Sequence, residues 1–353
     1  MRILITATPQ EPYWTFVTEL ARGLERDGVL VVLAVMNGPL TERRRLSLRA
    51  LSNVEFYEST FMPAVTNGYA HELERAGEWL LRLARDCDVD IVHVSDTVFS
   101  TLPWRAPVVT TVLRAAPVTG ELRVVDPLPQ HTSHALVAPT RRLLDDAQQQ
   151  HGAVANNFIV PFGRTHATVA DPIKEPMIVM LTEGSHDTES TAHAARMAAR
   201  ISWPVFVIGA APRVAAGISH ANTHFLGELC DEDRAAVLTR ASVFVQTRAE
   251  SELGYGVCDA AACRCALVLP DTAELREHWD GAAAFVAPND DEALRATLIW
   301  LIDDAEARHD LGERAQHRSQ SFTAERMAAA YLAIYIELAL SAAAALNVSP
   351  TVR

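Results

Sequence analysis

The sequence predicts an α/β protein made of two doubly wound domains of parallel sheet, and three observations carry that expectation. Short apolar, β-branched runs alternate with amphipathic segments from one end of the chain to the other. The runs are apolar almost throughout, as strands covered on both faces require. The alternation is broken once, by the polar, proline-marked stretch Thr165-His-Ala-Thr-Val-Ala-Asp-Pro-Ile-Lys-Glu-Pro176. With 353 residues and 49% hydrophobic content, the chain can fill two cores of ordinary size.

In the first half, strands are expected over Arg2–Ala7, Leu30–Val35, Val54–Tyr57, Asp90–Val94, Pro107–Val112, Ala135–Pro139 and Asn157–Pro161. Each is a short run rich in Val, Ile or Leu. Helices are expected over Trp14–Arg26, Ala70–Arg85 and Arg141–His151, where apolar residues recur at helical spacing. The second half repeats the pattern, with strands over Met177–Leu181, Val205–Ile208, Thr223–Leu226, Ser242–Gln246, Ala266–Leu269 and Ala284–Val286. Its helices are expected over Glu189–Arg200, Asp231–Thr239, Gly256–Cys263, Ala273–Trp279, Asp291–Asp304 and His309–Ser319. Two such halves make two Rossmann-like domains. Their join is placed between Arg164 and Glu175, giving a first domain over 1–165 and a second over 166–322. A last helix, Thr323 to about Leu346, has the spacing of a packed face and is expected to cross back onto the first domain. Ligands of open parallel sheets bind beyond the carboxyl ends of the strands, so two facing sheets imply a cleft.

The charge is −13, from 44 acidic against 31 basic residues, which argues against a bulk nucleic-acid binder. Lys174 is the only lysine. Five cysteines, an odd count without paired spacing, argue against a disulfide framework. Met1-Arg-Ile-Leu-Ile-Thr-Ala7 begins at once as a strand, with too short an apolar run for a signal peptide. No stretch is expected to span a membrane: the tail from Tyr331 to Leu346 comes nearest, interrupted by Glu337. The expected location is cytoplasmic.

One stretch points to a ligand. Glu250-Ser-Glu-Leu-Gly-Tyr-Gly-Val-Cys-Asp-Ala-Ala-Ala-Cys263 follows the apolar run Ala241–Gln246. A strand handing over to a helix through a glycine-marked turn aims backbone N–H groups and the helix dipole at one spot, which attracts an anion. Acidic side chains beside that spot can hold sugar hydroxyls. The pocket therefore suits something carrying both phosphate and hydroxyl groups.

These pieces, in their order, resemble the GT-B glycosyltransferases, and among them the large retaining family GT4 (glycosyl transferases group 1). Pro12 to Gly28 resembles the family's first loop and helix. Asp90-Ile-Val-His-Val-Ser95 with Ala106 to Val112 is similar to its central strands, and Ile159-Val-Pro-Phe-Gly163 to the turn closing its first domain. His224-Phe-Leu-Gly-Glu-Leu229 resembles the segment holding the nucleotide base, which assigns Leu226, Gly227 and Gly163 to the donor side.

The active-site motifs depart from the family's pattern. That pattern has two glutamates separated by seven residues; aligned on Leu253-Gly254 and Ala260–Cys263, it puts Ser251 at the first and Asp259 at the second. Glu252 flanks the first position. After Leu181 the family carries a Gly-Arg loop and a lysine that clamp the donor diphosphate, whereas this chain reads Thr-Glu-Gly-Ser-His-Asp. Glu183, Ser185 and His186 are the candidates there, with Arg164, Arg213 or Arg248 reaching in from elsewhere. Tyr13 and Trp14 replace the family's Gly-Gly on the acceptor side, joined by His131, and Arg114 stands near the family's cleft histidine. His93 is expected to be packed, and His131 with His134 to lie in a solvated loop rather than hold a metal.

The resemblance implies a metal-independent retaining transfer from a nucleotide-diphosphate-sugar to a small acceptor, with no resident cofactor. Gly254, Tyr255, Gly256 and Leu253 would line the phosphates, Asp259 the ribose, and Glu252 or Ser251 the sugar. The altered clamp suggests an unusual donor, a substrate of specialised metabolism, or reduced activity. The alternative is a protein of the same fold without transferase activity, a binding or helper subunit; an epimerase or phosphorylase is a weaker third.

Overall fold

The computed structural model describes residues 1–10, 13–61, 70–95, 97–113, 133–152, 154–166, 173–182, 196–209, 222–246 and 254–348. The chain divides into two compact units, Met1–Gly163 with Ala324–Arg353, and Arg164–Thr323. In the first, seven strands are described: β1 (Arg2–Ala7), β2 (Leu30–Val35), β3 (Val54–Glu58), β4 (Ile91–Val94), β5 (Val108–Thr111), β6 (Ala135–Ala138) and β7 (Asn157–Ile159). They pair in parallel in the order β3-β2-β1-β4-β5-β6-β7. Helices α1 (Tyr13–Glu25), α2 (Glu42–Arg49), α3 (Ala70–Asp86) and α4 (Arg141–His151) connect them. Helix α2 escapes sequence periodicity because its only buried residue is Leu48; a cap starts it, the Thr41 hydroxyl accepting from the Arg44 amide.

The second unit has six described strands, β8 (Glu175–Leu181), β9 (Val205–Ile208), β10 (Thr223–Gly227), β11 (Ala241–Val245), β12 (Ala266–Pro270) and β13 (Ala284–Val286). All are parallel, in the order β10-β9-β8-β11-β12-β13. Helices α5 (Asp231–Arg240), α6 (Tyr255–Ala262), α7 (Ala273–Trp279), α8 (Asp291–Asp303) and α9 (Ala305–Ser319) lie between and after them. Ile178, Met180, Val205, Val207, Val243 and Val245 from the sheet pack with Leu294, Leu298 and Leu301 of α8. Helix α9 starts four residues before its expected position because the Asp304 carboxylate accepts from the Ala307 amide at 2.9 Å and caps it. The expected helix over Glu189–Arg200 falls largely outside the described residues.

The last helix, α10 (Ala324–Val348), belongs to the first unit. It meets α1 at a point where a Cβ on Gly23 would lie 2.5 Å from the Ala328 Cβ and 2.7 Å from the Ala324 carbonyl oxygen. Only glycine permits that approach. Met327, Ala328, Tyr331, Ile334, Tyr335 and Leu338 of α10 are buried. Burial of a large apolar side chain stabilises by about 1.5–3 kcal/mol, so this face anchors the helix. By length and composition alone, Ala324–Ala344 is also apolar enough to cross a membrane, a test that a packed core helix passes as well.

A buried polar chain completes the attachment. His93 on β4 bonds Tyr335 Oη through Nδ1 at 2.7 Å and Thr111 Oγ1 through Nε2 at 2.7 Å. Thr111 in turn bonds Tyr331 Oη at 3.0 Å. His93 is packed, as expected, and burial depresses its pKa from 6.5 to about 3, so the ring is neutral.

Candidate functional site

In both sheets the winding reverses beside the strand that opens the unit, between β1 and β4 and between β8 and β11. Chain leaving the carboxyl ends of strands at such a switch point is where open α/β sheets hold ligands. In the second unit, segments 183–195 and 247–253 follow β8 and β11 in sequence. Glu183, Ser185, His186, Ser251, Glu252 and Leu253 fall in them and lie outside the described residues, as do Arg114, His131, Arg213 and Arg248. The structure describes the floor formed by the ends of these strands and the start of the next helix.

That floor is tightly packed. Beyond β8, the Thr182 amide donates to the Ile208 carbonyl at 2.9 Å, and Gly209 follows with φ +100°, where a Cβ would stand 2.4 Å from the Thr182 carbonyl oxygen. The Gly209 amide donates to the carbonyl of Gly227, itself at φ +71°. Leu226 is half-buried at the end of β10. Helix α6 opens from Gly254, whose left-handed backbone (φ 62°, ψ 23°) supplies no side-chain cap. First-turn N–H groups of a helix have no intrahelical acceptor, and here no side chain of the cap residue takes one. Gly256 has a different reason to be small: its Cβ would press on the Leu181 side chain and approach the Phe244 ring at 3.8 Å. The glycine lets α6 sit directly against β8 and β11, which brings its amino end to the switch point.

One turn along α6 stands Asp259, its side chain 14% exposed. Arg164 Nε donates to Oδ1 at 3.1 Å and Nη2 to Oδ2 at 3.5 Å. Arg234 of α5 meets Oδ2 through Nη2 at 3.1 Å and Nε at 3.3 Å, and His166 Nδ1 lies 3.5 Å from Oδ1. Arg234 also donates to Asp231 at 2.7 Å, and Arg164 lies over the Tyr255 ring at 5.9 Å. Burial opposes ionisation of Asp259, but the His166 hydrogen bond and the charges of Arg164 and Arg234 outweigh it and hold the carboxyl below the usual range.

The structure thus gathers Leu226, Gly227, Gly254, Tyr255, Gly256 and Asp259 within one unit. Gly163 is not among them: it ends the first unit's long segment, buried, its amide donating to the Met327 sulfur at 3.1 Å. Tyr13 and Trp14 open α1 in the first unit. Trp14 is buried, and the Arg44 guanidinium of α2 covers its ring at 5.0 Å. Two residues of the Asp259 cluster escape sequence reasoning, Arg234 and His166. No motif marks them; only the packing of α5 and of the joint segment against α6 brings them there. Arg164, a candidate for the diphosphate clamp, donates instead to Asp259. Lys174 cannot serve a phosphate at this edge. Its Nζ donates to the Ala241 carbonyl at 2.7 Å and also to those of Leu238 and Cys263, beside the starts of β8 and β11 and so at the opposite end of the sheet.

Residues 189–304 match the family model of glycosyl transferases group 1. The D-rhamnosyltransferase WbpZ of Pseudomonas aeruginosa is 28% identical over 135 residues, and the match spans 35% of this chain and 35% of that protein. The chain therefore aligns with about a third of the length of that relative. Sucrose-phosphate synthase from Thermosynechococcus elongatus superposes with a TM-score of 0.78 at 13% identity, covering 97% of this chain and 100% of the other. HepE of Anabaena, solved in complex with UDP-glucose, gives a TM-score of 0.74 at 13% identity, covering 96% and 100%. Two parallel sheets flanked by helices match the GT-B fold of these neighbours.

Proposed function

We propose that this protein is a glycosyltransferase that takes its sugar from a nucleotide-sugar donor bound to the second unit. The observation that carries the reading is the amino end of α6, opened by the left-handed Gly254 at the switch point of a sheet whose surrounding residues, 189–304, match the group 1 family model. Amides at a helix start attract a diphosphate, and the Asp259 cluster one turn along provides charged and polar groups for what the phosphate is attached to. In this proposal Glu252 or Ser251 holds the transferred sugar, and the acceptor is a small molecule on the side of Tyr13 and Trp14. Transfer proceeds with retention and without a metal, the leaving phosphate taking the acceptor's proton.

A helper subunit of the same fold is the second reading, and the fate of Lys174 favours it: the one lysine of the chain is committed at the far edge of the sheet. A thermal-shift panel of nucleoside diphosphates and nucleotide-sugars separates the two. A nucleotide at a hundredfold its Kd contributes about 2.7 kcal/mol, a rise of several degrees for a unit of this size. Stabilisation followed by acceptor-dependent release of nucleotide supports the transferase. Stabilisation by none of the ligands removes it.

A further inference from the structure

The nucleotide-sugar reading above leads to one assignment, resting on it, that neither the sequence motif nor the comparisons supply. We infer that Arg234, through the N–H groups of Nη1, donates to a phosphate oxygen of the bound nucleotide-sugar, supplying a cation that the chain after β8 lacks.

The guanidinium of Arg234 is anchored through Nε and Nη2. Nε donates to Asp259 Oδ2 at 3.3 Å, and Nη2 donates to Asp231 Oδ1 at 2.7 Å while lying 3.1 Å from Asp259 Oδ2. Asp259 belongs to α6 and Asp231 to the first turn of α5, so two elements fix the plane. Nη1 makes no hydrogen bond or ion pair with the described residues. Nor is it one of the buried polar atoms that lack a partner, so it reaches the surface. The side chain is 23% exposed, against 9% for Arg164, the other arginine on Asp259. Of the two, Arg234 is the one with an open edge.

A guanidinium only donates, so what completes Nη1 is an acceptor, and an anionic oxygen is the strongest. Such an oxygen is what the neighbouring helix also calls for. At 1.5 Å per residue, Asp259 stands about 6 Å along α6 from Tyr255, the first residue of the helix. The amino end of α6 turns first-turn N–H groups and the positive end of the helix dipole toward its ligand. A diphosphate seated on those amides therefore lies close to the open edge of Arg234. The need for a cation is visible in the sequence: residues 183–195, which follow β8, hold neither arginine nor lysine. Lys174 is spent on carbonyls at the opposite end of the sheet. Arg234 comes from a different element, α5, whose start follows β10. Its two carboxylate anchors set the direction of the fork before any ligand arrives, which limits the entropy lost on binding.

The test is a binding titration of the full chain with UDP, GDP, ADP and dTDP, then with the monophosphate and the nucleoside of whichever base binds. Arg234→Gln removes the cation and keeps a donor toward the carboxylates; Arg234→Lys keeps the charge without the fork. Arg234→Gln is expected to weaken the diphosphate about ten- to a hundredfold, the range of a hydrogen bond between charged groups. The nucleoside is expected to bind as before, and Arg234→Lys to retain more diphosphate affinity than Arg234→Gln. Whether the monophosphate follows the diphosphate or the nucleoside tells which phosphate Nη1 meets. The ratio of diphosphate to nucleoside affinity is read within one protein, so a general loosening of the fold does not imitate the effect. Where Arg234→Gln does not fold, the same ratio in Arg234→Lys decides: a fall supports the assignment and an unchanged ratio overturns it. Equal weakening of diphosphate and nucleoside by Arg234→Gln, or no weakening, leaves Arg234 as an anchor of α5 on α6 and overturns the assignment. Failure of wild type to bind any nucleotide overturns it together with the nucleotide-sugar reading, a distinct outcome visible before any variant is made.

Discussion

The two units each tie a distant piece of chain to a sheet through a covered polar cluster, and they do it with opposite electrostatics. In the first, His93, Thr111, Tyr331 and Tyr335 form a neutral chain, wholly buried, in which both ring nitrogens of the histidine are satisfied. In the second, Asp259 is ionised among two guanidiniums, partly exposed, and the histidine beside it keeps a nitrogen without a partner. A neutral, saturated network has nothing left to offer a ligand and serves to fix the register of α10. The charged cluster leaves one ring nitrogen, His166 Nε2, buried without a hydrogen-bond partner. Polarity in the interior is therefore not by itself a sign of function.

The sharpest way to break this contrast is Asp259→Ala. It leaves Arg164 and Arg234 without the carboxylate between them, and removal of one partner from a covered ion cluster costs about 3–5 kcal/mol. Urea unfolding should show that loss in the second unit. A loss under about 1 kcal/mol would reduce the cluster to an ordinary surface pair.

Acid separates the units next. The folded-state pKa of His93 lies below its ordinary value, so the unfolded chain takes the proton first. Its contribution is full above about 6.5 and declines as pH falls toward about 3, on the order of 3 kcal/mol by pH 4. Asp259 has the opposite origin: a carboxyl depressed below its ordinary 3.8 keeps its contribution above that pH and loses it only as pH drops through the folded value. Unfolding followed at pH 7, 5 and 4 should thus weaken the first unit while the Asp259 cluster holds. Simultaneous weakening that persists in His93→Gln would refute the assignment. The smallest effect is expected of Tyr335→Phe, which strips one partner from His93: about 1–2 kcal/mol of stability, with nucleotide binding unchanged.

Much of the fold was legible because buried parallel strands leave an unmistakable apolar signature. β1, β2, β9 and β13 run over the very residues expected, and α4 and α7 likewise. Helix α2 was not legible, since a cap and one buried leucine are too little for periodicity to register. The site was legible in part. Gly254 and Asp259 follow from a strand, a glycine turn and a helix in succession. Gly256 was expected as backbone near phosphate, and the structure adds that Leu181 leaves no room for a side chain. His166 and Arg234 carried no local signal, because what selects them is a carboxylate on another element.

By itself the sequence determined the two parallel sheets and the helix that starts beside the second sheet's switch point. These are properties of neighbouring residues, and periodicity and glycine placement report them directly. Tertiary structure alone decided which charges meet. It sent the only lysine to the wrong edge of the sheet for phosphate, turned Arg164 and Arg234 onto Asp259, and left His166 Nε2 without a hydrogen-bond partner. Hydrogen bonds and ion pairs depend on distances of a few ångströms between residues far apart in the chain, and no local pattern records them.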